Sequence, residues 1–128
     1  MNSISIIGTG NMARTIGALA VAGGNAVEVV GRDQSKAAPA SASVVKAFNT
    51  VFGVVLAQGR PLDVFIAGDD ARAKGGVSEF IESLKLRPLD VGGLNMAHWL
   101  EGTGLVVMGL ARHGVGNFDF ALGATVPG

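Results

Sequence analysis

The residues best suited to chemistry stand near the start of the chain, where Gly8-Thr9-Gly10-Asn11-Met12-Ala13 spells G-x-G-x-x-A directly after the β-branched run at 3–7 (SISII). Each position has a mechanical task. Gly8 makes the tight turn, Gly10 lets a pyrophosphate approach the backbone, and the small Ala13 lets the following helix pack close on the strand. The amides that open that helix face an anion with the positive end of the helix dipole. A bare G-x-G in a chain with 20 glycines says little. Placed between a strand and a helix, it points to dinucleotide binding rather than a merely structural turn.

The end of the second strand, 26–30 (AVEVV), bears on which nucleotide. NAD binders carry Asp or Glu there to accept from the ribose hydroxyls. This chain has Gly31, then Arg32 and Lys36, while Glu28 sits mid-strand. Two cations and a missing carboxylate suit a 2′-phosphate, so NADP is the expected cofactor. The competing reading makes Arg32 and Lys36 ordinary solvated loop charges, partly neutralised by Asp33.

Other candidates have plainer accounts. His98 and Glu101 lie three apart on the last expected helix and form either a proton-handling pair or a solvated polar pair. His113 precedes Gly114, where a cation suits a helix C-terminus. Asp69-Asp70 reads as a helix N-cap rather than a metal site, because no third ligand stands nearby in the sequence. Phe118 and Phe120 anchor the last segment or cover a ligand. No residue is assigned a catalytic or metal-binding role. The chain has no cysteine and no tyrosine, which excludes disulfides, zinc-thiolate and iron–sulfur sites, a Cys nucleophile and a phenolic proton donor.

These residues need a frame. The first strand is followed by a helix at 11–22 that stops at Gly23-Gly24. Further strands are expected at 44–48, 63–67 and 86–91, with one or two helical turns at 51–57. A helix capped by Asp69 or Asp70 carries Val77, Phe80, Ile81 and Leu84 at i, i+3, i+4, i+7 despite Gly75-Gly76. Pro88 places the last strand at a sheet edge. Asn95 is expected to cap a helix of about eighteen residues with Met96, Trp99, Leu100, Thr103, Val106, Val107 and Leu110 on one face, ended by Gly114. In that helix Gly102, Gly104 and Gly109 suit close packing between subunits. This alternation predicts one α/β domain over 1–128, a shortened Rossmann-like three-layer fold with a mainly parallel five-stranded sheet in the order 2-1-3-4-5.

The 128 residues suit one domain, and ten Lys+Arg balance ten Asp+Glu, leaving no basic field for nucleic acid or an anionic membrane. No apolar run is long enough to span a bilayer and the N-terminus lacks a signal-peptide plan, so a cytoplasmic protein is expected.

With these residues in hand, the chain resembles the NADP-dependent reductases of the deazaflavin coenzyme F-420. The resemblance rests on ISIIGTGNMA, GRDQSKA after the second strand, VVKAFNT at 44–50, and the helix at 96–112 with Trp99-Leu100-Glu101. It implies that Thr9, Gly10, Asn11 and Met12 hold the pyrophosphate and that Arg32 and Lys36 hold the 2′-phosphate. It also implies that Ala47, Phe48 and Asn49 lie beside the nicotinamide. The activity implied is hydride transfer between NADP and a deazaflavin or flavin-like acceptor, which demands orientation more than a strong acid or base. Against the family, the middle of the domain is missing, with a seam near 37–43. The alternative function is therefore a non-catalytic dinucleotide-binding or oligomeric remnant.

The seam constrains assembly. A crossover over residues 34–43 spans at most about 33 Å when extended, and parallel crossovers use about a dozen residues or more. A homodimer, strand-swapped or tightly packed, is therefore the expected partner state besides the cofactor and a small ring acceptor.

Overall fold

A computed structural model of the chain describes residues 3–7, 11–24, 26–30 and 43–127. Its first unit is β1 (Ser3–Ile7), α1 (Asn11–Ala22) and β2 (Ala26–Val30), with β1 and β2 parallel in the register Ser3↔Ala26 to Ile7↔Val30. The elements match the sequence expectation residue for residue. The β-branched runs favour extended backbone, the alanine-rich stretch favours helix, and Gly24, at φ +84°, takes the left-handed turn that sends the chain back.

The second unit comprises β3 (Val45–Ala47), α2 (Gly53–Leu56), β4 (Asp63–Gly68), α3 (Ala71–Ser83), β5 (Arg87–Asp90), a 3-10 turn (Leu94–Met96) and α4 (Ala97–Arg112). Its sheet runs β3-β4-β5. β4 and β5 are parallel, with Asp63 opposite Arg87 and Ile66 opposite Asp90. β3 is antiparallel to β4, with Val45 opposite Gly68 and Ala47 opposite Ile66.

This corrects the expected fold class in two respects. The α/β character, the neighbours β1-β2 and β3-β4-β5, and the edge position of the Pro88 strand are all found. A continuous, mainly parallel five-stranded sheet in the order 2-1-3-4-5 is not: the described strands form one sheet of two and one of three. The two connections of β4 differ in how much helix they hold. A parallel crossover must carry the chain back along a strand, and the six-residue β4 is about 20 Å long. The four-residue α2 climbs only about 6 Å. The thirteen-residue α3, at about 20 Å, is the right length and makes the parallel return to β5.

The main core joins both units. Ile16 and Ala20 of α1 pack with Phe48, Val51, Leu56, Val64, Ile66, Phe80, Ile81, Leu84 and Leu86. Burying each large aliphatic side chain contributes about 1.5–3 kcal/mol. Leu100, Val107 and Ala111 of α4 are buried outside that cluster, so α4 covers a separate part of the molecule. The expected face of α4 is corrected accordingly: Leu100 and Val107 are buried, whereas Trp99 is 63% exposed and Val106 58%. Asn95 does not cap α4 but sits within the 3-10 turn that precedes it.

Two helix ends show how local chemistry sets these elements. The Asp70 carboxylate accepts from the amides of Arg72 (2.8 Å) and Ala73 (3.0 Å), capping α3 as expected and holding its own pKa below the ordinary carboxylate value. At the other end Lys85, at φ 66°, occupies the left-handed position glycine usually takes. There the Lys85 amide donates to the Glu82 carbonyl and the Leu86 amide to that of Ile81, which closes the helix.

Candidate functional site

The G-x-G-x-x-A segment is framed by β1 before it and α1, which begins within it. Gly8, Thr9 and Gly10 fill the three positions between the end of β1 and the start of α1 and lie outside the described residues. Asn11 and Met12 are the first two residues of α1. A strand followed three residues later by a twelve-residue helix that leads to a parallel neighbouring strand is the arrangement in which the opening amides of a helix can face an anion. On that observation the first unit fits the pyrophosphate of a dinucleotide. Arg32 and Lys36, expected at the 2′-phosphate, lie outside the described residues, as do residues 34–42 of the crossover on which the expectation of a homodimer rests.

Ala47, Phe48 and Asn49 are described, and their surroundings are specific. Ala47 ends β3 opposite Ile66. Phe48 is 8% exposed and held at φ 68°, where a bulky side chain costs about 1–2 kcal/mol. Burial of its ring in the main core is what holds it there. The left-handed step swings Asn49 toward α4, where its Nδ2 donates to the Leu100 carbonyl at 2.5 Å. The approach is close enough that a Cβ on Gly104 would stand 3.3 Å from the Asn49 carbonyl oxygen. Gly104 thus stands in a tight approach within the chain, whereas a Cβ on Gly102 or Gly109 would meet nothing within 4 Å. Asn49 Oδ1 is buried without a hydrogen-bond partner. An orphaned buried acceptor costs about 1–3 kcal/mol, so this oxygen is suited to a donor brought by a ligand.

The polar candidates separate. Glu101 meets Lys46 of β3 at 3.4 Å, and His98 instead stands edge-on to Trp99 with centroids 5.2 Å apart. His113 follows the last residue of α4, its amide donating to the Gly109 carbonyl. Asp69 and Asp70 point to different tasks: Asp70 caps α3, and Asp69 Oδ1 accepts from the Leu94 amide at 2.9 Å. Lys74 meets Asp90 at 3.0 Å, and Asp90 Oδ1 accepts from the Gly92 amide at 2.8 Å. The Gly92 amide, followed by Lys74, holds the Asp90 carboxyl below its ordinary pKa. The loop after β5 is therefore pinned over the C-terminal end of β4, where open α/β sheets bind ligands.

Sequence reasoning missed the strongest ion pair among the described residues. Arg87 donates from Nε to Asp63 Oδ1 and from Nη2 to Asp63 Oδ2, each at 2.6 Å. The arginine hydrogen bonds hold the Asp63 carboxyl below its usual range, and the carboxylate raises the arginine. The signal was available: each residue opens a strand, and parallel in-register neighbours place two such openings side by side.

No family model matches the chain. Among solved structures, it is similar to a protein from Arthrobacter sp. FB24 provisionally described as an F-420-dependent NADP reductase, known from a crystal structure at 1.70 Å resolution. The two share 17% identity with a TM-score of 0.74, over 95% of this chain and 98% of that one. The likeness establishes a related, Rossmann-like α/β fold. It does not show a missing middle, so the seam near 37–43 stands as an expectation from the sequence.

Proposed function

We propose that the chain binds NADP(H) at the β1–turn–α1 unit and serves hydride transfer between that nucleotide and a flat ring acceptor, a deazaflavin or flavin-like molecule. The observation that carries this reading is the parallel β1–α1–β2 unit built around G-x-G-x-x-A. The likeness to a fold neighbour bearing an F-420-dependent NADP reductase description supports it.

Gly8, Thr9, Gly10, Asn11 and Met12 would hold the pyrophosphate through the turn and the first amides of α1, with Arg32 and Lys36 on the 2′-phosphate. Ala47, Phe48 and Asn49 would line the nicotinamide side, and the partnerless Asn49 Oδ1 is an acceptor for an amide donor there. The bound nucleotide supplies the hydride chemistry. The protein's share is orientation and exclusion of water, which its buried aromatic and aliphatic side chains suit.

The test is a titration of Trp99 fluorescence with NADPH and with NADH. Saturable NADPH binding at micromolar to low millimolar concentration, tighter than NADH by about tenfold, is the expected outcome; this is the scale of one charge-assisted phosphate contact. Failure of both nucleotides to bind at millimolar concentration overturns the reading. Oxidation of bound NADPH on addition of a deazaflavin or flavin then separates an enzyme from a binding protein without turnover.

A further inference from the structure

The segment after α4 has no regular secondary structure, yet two unlike devices hold it. At the first, Phe118 and Phe120 meet the ring of Phe52 edge-on, with centroids 5.2 and 5.4 Å away and interplanar angles of 69° and 78°. Between them, Asp119 Oδ1 accepts from Arg60 at 2.7 Å and from Gln58 at 3.4 Å. At the second, the Asp63–Arg87 pair captures one residue of main chain by both its polar groups. The Ala124 amide donates to Asp63 Oδ2 at 2.9 Å, and Arg87 Nη2 donates to the Ala124 carbonyl at 2.5 Å. Gly123 lies so close that a Cβ there would press on the Asp63 carboxylate, with Cγ 3.1 Å away.

The first device bears on the candidate site through Phe52. Phe52 is the residue from which α2 starts: its carbonyl accepts from the amides of Val55 (3.1 Å) and Leu56 (3.0 Å), and no side-chain cap assists it. It follows Asn49 by three residues and the left-handed Phe48 by four, at the end of the same turn. A four-residue helix has too few internal bonds to order itself, so outside contacts must fix it. Gripping Phe52 from one side and the openings of β4 and β5 from the other ties α2 to the sheet.

We propose that residues 116–127 form a strap that positions the Phe48–Phe52 turn, with the Asp63–Arg87 fork as its buckle and Phe52 as the point it grips. Opening the buckle releases Ala124 and loosens the start of α2, while the core under α3 stays closed. Where the dinucleotide reading above holds, this is a handle on the nicotinamide side of the site alone, leaving the phosphate side untouched.

Hydrogen exchange on the full chain tests it. In Gly123→Val the Ala124 amide should exchange faster by about tenfold or more, and the Val55 and Leu56 amides by about threefold or more, with those of Phe80 and Ile81 unchanged. An Ala124 amide already unprotected in the parent chain overturns the proposal. So does release of Ala124 that leaves Val55 and Leu56 unchanged. If Gly123→Val also exposes Phe80 and Ile81, the same amides are read in Arg87→Lys, which keeps the charge but loses the two-pronged contact.

A second arm rests on the proposed function and uses NADPH and 2′,5′-ADP. The buckle variant should weaken NADPH by about threefold or more and leave 2′,5′-ADP unchanged, as expected when only the ring half of the ligand loses a preordered surface. An unchanged ratio counts against the strap's effect on the site. A parent chain that binds neither nucleotide defeats the functional reading, and the exchange arm then decides the strap by itself.

Discussion

β4 is entered through α2 and left through α3, and the two connections differ in how much helix they hold. α3 spans thirteen residues, has a carboxylate cap at Asp70, a left-handed closure at Lys85, and buries Phe80 and Ile81. It can run the length of a strand, so β5 returns parallel. α2 has four residues and no side-chain cap. β3 before it lies antiparallel to β4, and the turn carrying Phe48 and Asn49 is supported by α4 and by the last segment. The self-sufficient connection is the architectural one; the dependent one carries residues of the candidate site. Elements that must adjust to ligands are commonly drawn from the less stable parts of a fold.

The largest effect expected from this contrast is at Ile81, which is 0% exposed. Ile81→Ala should cost about 2–5 kcal/mol in denaturant unfolding, with the transition still single. Leu56, 1% exposed on α2, should cost as much in global stability when cut to Ala. The difference lies in native-state exchange. In the parent chain α2 amides should exchange through local opening, insensitive to low denaturant, whereas α3 amides follow global unfolding. Equal denaturant dependence in both helices would erase the distinction.

Acid gives the next effect. Asp63, Asp70 and Asp90 all have pKa values lowered in the folded chain, by Arg87, by the Ala73 and Arg72 amides, and by the Gly92 amide with Lys74, respectively. A carboxyl lowered by folding contributes stability above its unfolded pKa of about 3.9 and loses it as pH falls through the folded value. Melting temperature should therefore hold between pH 7 and 5 and fall below about pH 4. Asp63→Asn should flatten part of that fall and release the Ala124 amide, while Asp70→Asn should leave the Ala124 amide protected. The same exchange response in both variants would remove the separate role given to the buckle.

How much of this was legible in the sequence follows the same division. The β1–α1–β2 unit, the Asp70 cap, the apolar stripe of α3 and the edge position of Pro88 were readable, because local propensity, periodicity and capping all agree there. The direction of β3 was not, because VVKAF reads the same in a parallel or antiparallel pair. The α4 face was misassigned around Trp99 because apolar spacing alone does not show which side meets the sheet. The helix end at Lys85 carries no glycine to announce its left-handed turn. Of the candidate site, the G-x-G-x-x-A motif stands in the sequence but residues 8–10 lie outside the described residues, while the orphaned Asn49 oxygen and the Ala124 buckle depend on contacts between residues more than fifty and sixty positions apart, respectively, for which a single sequence has no local sign.

The smallest effect tests the weak point in the self-sufficient connection. Gly75 and Gly76 lie inside α3, and a Cβ on either would meet nothing within 4 Å. Each costs about 0.8–1.0 kcal/mol of helix stability relative to alanine. Gly75→Ala and Gly76→Ala should each raise the urea midpoint by about that energy without changing the slope, since neither fills a space nor displaces a neighbour. Gly104→Ala is the opposing control, because its Cβ would stand 3.3 Å from the Asn49 carbonyl and push α4 away from the turn. It should lower the midpoint, and it should raise exchange at Val55 and Leu56 although it touches neither residue. A stabilising Gly104→Ala would mean that Asn49 does not hold α4 and that the dependent connection has less support than its contacts indicate.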